Sequence, residues 1–147
     1  MDFQKVKPMD EVRELIVKEA REWVGTPWHH NQCCKGVGVD CARLYQGILS
    51  NVLGIKIEIE NYPRHSTGDN LLKQVRSFPF LLELTDASKY QEGDLLVFFI
   101  GAYPRHIGVA TKEGMIHADL TKGMVTEIPV LGHWQSRLCA AFRVIMD

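Results

Sequence analysis

The sequence predicts an α+β domain in which helices come first and an antiparallel sheet follows. Three observations carry that prediction. Apolar residues recur at helical spacing over residues 10–24 and again from about Cys41 to Leu53. From Leu95 onward the chain changes to short apolar runs cut by Gly- and Pro-bearing turns, the pattern of paired strands. At 147 residues the chain has the length of one domain with a real core, and residues 1–147 are read as that single domain. Helices before strands imply that the second helix packs on the sheet.

Residues 10–24 begin at Asp10, an N-cap residue, and place Val12, Leu15, Ile16, Ala20, Trp23 and Val24 on one face. Gly25 supplies the stop and Pro27 prevents continuation. Residues 26–39 read as an irregular loop. The second helix is capped by Asp40 and closed by Gly54. Residues 55–68 read as irregular, with Tyr62-Pro63-Arg64 extended because proline restricts the residue before it. A short helix is expected over Leu71–Val75. Glu92-Gly93-Asp94 turns into the strand Leu95–Ile100. Strands follow at 106–111, 114–118, 124–129 and 138–146, with turns at Gly101–Pro104, Lys112–Gly114 and Thr121–Gly123.

Composition narrows the function classes. Apolar content of 46% with 24% charged residues is that of a soluble globular chain. A net charge of −1, with lysines and arginines scattered, gives no nucleic-acid footprint. The longest apolar run, Leu95–Ile100, is too short for a transmembrane segment. Residues 1–8 lack the apolar core of a signal peptide, so the sequence reads as cytoplasmic unless an outside apparatus delivers it elsewhere. Four cysteines in such a chain are expected as free thiols.

The chemistry concentrates in Gly38-Val39-Asp40-Cys41. A cysteine in the first turn of a helix faces free N–H groups and the positive end of the helix dipole, which favour a thiolate. Far downstream, His106 opens one strand and His117 lies on the next. A thiol, a histidine and a second polar group on adjacent strands form the layout of a nucleophile, its base and an orienting residue. Asp40 is chiefly the helix cap. Arg43 and Arg105 flank the candidates and are either solvated charges or partners for a substrate carboxylate. Trp28 is either packing or a neighbour of the thiol. His29, His30, Cys33 and Cys34 invite a metal reading, but adjacent cysteines chelate poorly; the loop is expected to wall the cleft, with no metal. Cys139 reads as core.

Taken together these segments resemble the NlpC family of papain-like cell-wall cysteine peptidases. The resemblance is carried by Gly25-Thr26-Pro27-Trp28, Val39-Asp40-Cys41, Tyr62-Pro63-Arg64, Glu92-Gly93-Asp94-Leu95, His106-Ile107-Gly108-Val109, Met115-Ile116-His117-Ala118 and the last strand with Ala141-Phe142-Arg143-Val144. It implies a papain-like fold, with Cys41 as nucleophile, His106 as base and His117 as the third polar residue. It implies no cofactor, and a peptidoglycan stem peptide as substrate, often cut after D-γ-glutamate. Ala42 and Arg43 stand where the family commonly has Ser and Gly, and His29–Gly38 replaces its Gly-Gly-containing loop. In these respects the chain is similar to signal-less members encoded by phages and prophages, which implies phage tail components as partners and a phage particle as the route to the wall. Two rival readings stay open: an acyltransferase or amidase on the same scaffold, and a phage tail assembly protein that retains the fold.

Overall fold

A computed structural model of the chain describes residues 9–60 and 68–145. The first helix, α1 (Met9–Glu22), buries Val12, Ile16 and Ala20. It stops before Val24, which is 47% exposed rather than on the buried face. Gly25, at φ +92°, turns the chain back. Residues 25–28 then run along strand β7 (Met124–Ile128): Gly25 N–H donates to the Val125 carbonyl at 2.9 Å, and Trp28 N–H to that of Gly123 at 2.8 Å. The stretch expected to be irregular contains a small hairpin, β1 (Cys33–Cys34) paired antiparallel with β2 (Gly38–Val39). Strands of two residues carry no periodicity, so the sequence offered no signal for them.

Helix α2 (Cys41–Leu53) has the expected bounds. Asp40 accepts from Arg43 N–H at 3.0 Å, and Gly54 closes the helix at φ +68°, a conformation that favours glycine. Its buried Leu44, Tyr45, Ile48 and Leu49 face the sheet. Burying one such aliphatic side chain is worth roughly 1.5–3 kcal/mol. Helix α3 (Asn70–Arg76) follows; Tyr62-Pro63-Arg64 lies outside the described residues.

The main sheet has six strands in the order β3-β8-β4-β5-β6-β7, with every pairing antiparallel. Its members besides β7 are β3 (Leu81–Glu83), β4 (Leu95–Ile100), β5 (Tyr103–Ala110), β6 (Met115–Asp119) and β8 (Leu138–Val144). Strand β3, the 3-10 turn Ala87–Lys89 and helix α4 (His133–Ser136) were not expected. Strand β5 begins at Tyr103, before the expected His106. Alternate residues face two cores. Leu95, Val97, Ile107, Val109, Ile116 and Phe142 pack with Ile16, Leu44 and Ile48 on the helix side. Leu96, Phe98, Ala110 and Met115 cluster separately, with Trp134 and Leu138 against them. Gly114 tolerates no side chain, because a Cβ there would lie 1.9 Å from the Ile128 carbonyl oxygen.

One irregularity positions the site. Strands β5 and β6 pair over only Val109↔Ile116 and Ala110↔Met115. Beyond these, β5 continues against β4 and β6 against β7. The sheet therefore parts near His106 and His117, where the tip of α2 arrives.

Candidate active site

The cleft has a volume of about 350 Å³ and is lined by Cys41, His106 and His117, together with Trp28, His30, Asp40, Arg105, Asp119, His133, Trp134 and Arg137. Helix α2 brings Cys41 there as its first residue. The thiol donates to the Arg105 carbonyl, with Sγ 3.6 Å from the oxygen. That carbonyl belongs to the part of β5 that no longer pairs with β6.

His106 and His117 meet through His106 Nε2 and His117 Nδ1, 2.7 Å apart, with their rings edge-to-face. His117 is only 1% exposed. Trp134 closes over both rings, its centroid 4.9 Å from that of His106 and 5.4 Å from that of His117. It also meets Phe98 edge-on. Trp134 is a site residue that sequence reasoning missed. The available signal was a large aromatic inside the otherwise polar run His133–Arg137, too short to show a period.

Burial governs the protonation of this group. It pushes the Cys41 thiol up to about 12, reinforced by the Asp40 carboxylate and opposed by the backbone N–H groups of Ile107, Ala42 and Cys41. This reverses the expected lowering by the helix terminus, because desolvation of the sulfur outweighs the nearby N–H groups. Burial, and then the neighbouring His117, lower His106 to about 3. Burial also lowers His117, against the opposing pull of Asp119. Each shift favours the uncharged form, a thiol beside a neutral imidazole.

The other expected site residues divide. Asp40 is 2% exposed; besides capping α2 it accepts from Asn31 N–H at 2.6 Å and lies 3.7 Å from His30 Nδ1. Trp28 and Arg105 line the cleft, and His30 is the member of the His29–Gly38 loop that joins them. Cys33 and Cys34 are exposed on β1, whose partner strand β2 is buried. Among the described residues no group of three or more His, Cys, Asp or Glu is arranged to hold a metal ion. Cys139 is half-buried on β8, against the helix-side core. Arg43 is a correction: it does not enter the cleft. It is 5% exposed, and its Nη1 donates to Gln46 Oε1 at 2.7 Å and to the Ile59 carbonyl. Two residues along a helix is more than half a turn, so Arg43 leaves the tip on a different side from Cys41.

The NlpC/P60 family pattern matches residues 22–143, most of the chain and all of the cleft. The chain belongs to the NlpC/P60 family. Relatives within and around the family place it further. The murein DD-endopeptidase MepS/murein LD-carboxypeptidase of Escherichia coli K12 is 21% identical over 145 residues, covering 98% of this chain and 69% of that protein. A solved Staphylococcus aureus Mu50 protein, described as similar to lipoprotein of the NLP/P60 family, superimposes with a TM-score of 0.67 at 23% identity, over all of this chain and 46% of that one. RipD of Mycobacterium tuberculosis, described as a non-catalytic NlpC/P60 domain adapted to peptidoglycan binding, reaches 0.60 at 14% identity over 92% of this chain and 98% of that one. The NlpC/P60 neighbours share the papain-like arrangement of helices on an antiparallel sheet.

Proposed function

We propose that this NlpC/P60 chain is a cysteine-type endopeptidase that hydrolyses amide bonds in the stem peptides of peptidoglycan, cutting after D-γ-glutamate. One observation carries the reading: Cys41, His106 and His117 line a single cleft, and the two rings are joined at 2.7 Å. Since His117 occupies Nε2 of His106, Nδ1 is the nitrogen left to serve Cys41. The thiol proton moves to that nitrogen as Sγ attacks the substrate carbonyl. The N–H groups of Cys41 and Ala42 at the helix start stabilise the negative charge that forms on the carbonyl oxygen. The tetrahedral adduct collapses, the C–N bond breaks, and His106 returns its proton to the leaving amine. Water then adds to the thioester, giving one proton to His106, which passes it back to sulfur as the acid product leaves. His117 accepts the His106 Nε2–H throughout and fixes the ring.

The test is digestion of purified peptidoglycan by the wild type and by Cys41→Ala, with the released peptides identified by mass. Peptides ending in D-glutamate from the wild type alone support the reading. Binding to the wall without cleavage by either would assign a non-catalytic role of the kind described for RipD.

A further inference from the structure

We infer that Asp119 is a positioning residue that fixes which nitrogen of His117 carries the proton, and through it leaves the free nitrogen of His106 unprotonated toward Cys41. The inference rests on the reading of Cys41 and His106 as nucleophile and base. It starts from a bond that admits two arrangements. Two neutral imidazoles joined at 2.7 Å share one proton across the contact. In the first, His106 Nε2–H donates to His117 Nδ1, His117 carries its own proton on Nε2, and His106 Nδ1 holds a lone pair. In the second, His117 Nδ1–H donates to His106 Nε2, and His106 carries its proton on Nδ1. Only the first leaves His106 able to take a proton from the thiol.

What decides between them is the surroundings of His117 Nε2. That atom is buried and makes no hydrogen bond among the described residues. Asp119 Oδ2 lies 3.7 Å from it. At that distance the contact is a charge–dipole interaction rather than a hydrogen bond. An ionised carboxylate offers only lone pairs, so it favours the proton on Nε2 and therefore the first arrangement. Asp119 is held for this task. It sits two residues after His117 on β6, on the same face of the strand, and its Oδ1 accepts from Lys122 N–H at 3.1 Å. The other neighbours do not choose. Thr126, opposite His117 on β7, bears a hydroxyl that both donates and accepts, and Trp134 meets the ring edge-on.

Asp119→Asn is the discriminating variant. It keeps the size of the side chain, and its amide oxygen can still accept from Lys122 N–H. That turns the amide NH2 toward His117 Nε2, where a donor favours the second arrangement. Imidazole 15N spectra of histidine-labelled protein read both tautomers with no substrate present. In the wild type His106 and His117 are both expected protonated at Nε2; in Asp119→Asn both protons move to Nδ1. Turnover should fall on the order of 10–100-fold, with KM within about twofold. A wild-type spectrum with His117 protonated at Nδ1 overturns the inference, and that measurement decides the matter even if the variant does not fold. Unchanged tautomers in a folded Asp119→Asn overturn it equally. If the tautomers move as expected but the wild type cleaves no peptide, the hydrolase reading fails and the role of Asp119 stands.

Discussion

Cys41 and Arg43 stand two residues apart on the same helix and do opposite kinds of work. The tip of α2 carries a thiol into a cleft, at the edge of the helix-side core. The flank, half a turn on, carries a buried guanidinium that ties the helix to the segment around Ile59. Arg105 is the instructive third case: it adjoins His106 in sequence and lines the cleft, whereas Arg43, two residues from Cys41, does not. Nearness along the chain is not enough to bring an arginine into the cleft. The direction of the side chain from its element decides it, and on β5 that direction is opened by the parting of β5 from β6.

The sharpest way to break this contrast is at the tip. Cys41→Ala is expected to lower hydrolysis by at least roughly 10³-fold while leaving the urea unfolding midpoint nearly unchanged. His106→Ala should match it, His117→Ala should keep measurable turnover, and the double histidine variant should be barely worse than His106→Ala alone, because residues that act as a unit lose activity non-additively. Values of kcat/KM for the four proteins check this; fully additive losses would separate the two histidines.

At the flank the expectation inverts. Arg43→Ala strands the Gln46 and Ile59 oxygens, so stability should fall by about 2–3 kcal/mol while kcat/KM of the remaining folded protein holds. Urea titration beside kinetics at 15 °C tests it. A selective rise in KM for acidic peptides would return Arg43 to the cleft. For Arg105→Ala that selective rise is the expected result: about tenfold for an acidic stem peptide over its amidated analogue.

A different effect lies in the pH dependence of stability. His106 is held uncharged down to about 3, below its ordinary 6.5. Between those values the unfolded chain binds a proton that the folded chain refuses. Stability from this group is therefore complete above pH 6.5 and lost as pH falls toward 3. Urea midpoints at pH 7 and pH 5 should differ less in His106→Gln than in the wild type, a window chosen above the range where the lowered carboxylates Glu19, Glu83 and Glu127 contribute.

Where the sequence carried a strong local signal, the structure agrees with it. The Asp40 cap and Gly54 stop bound α2 as expected, and four of the five expected strands end within two residues of their predicted limits. The fifth, β5, starts early because Tyr103 and Pro104 pair with β4 across a register shift, which only the partner strand dictates. The β1–β2 hairpin and α4 are too short for periodicity, and their stability comes from what they pack on. The same limit hid Trp134. The thiol's environment was misjudged for a related reason: a helix start is visible in sequence, whereas the burial that opposes it arises from strands far along the chain.

Asp40 joins two parts of this design with one carboxylate. Oδ1 holds the first turn of α2, and Oδ2 holds the backbone of Asn31, nine residues earlier and at a φ of +56°. The intervening loop is pinned at its end to the helix that presents the thiol, and the entropy of closing it is spent on folding rather than on binding. A ligand that touches His30 meets a wall already in place. Preorganisation of this kind appears as affinity without any added contact. Loosening the Asp40–Asn31 link is therefore expected to weaken binding before it slows chemistry.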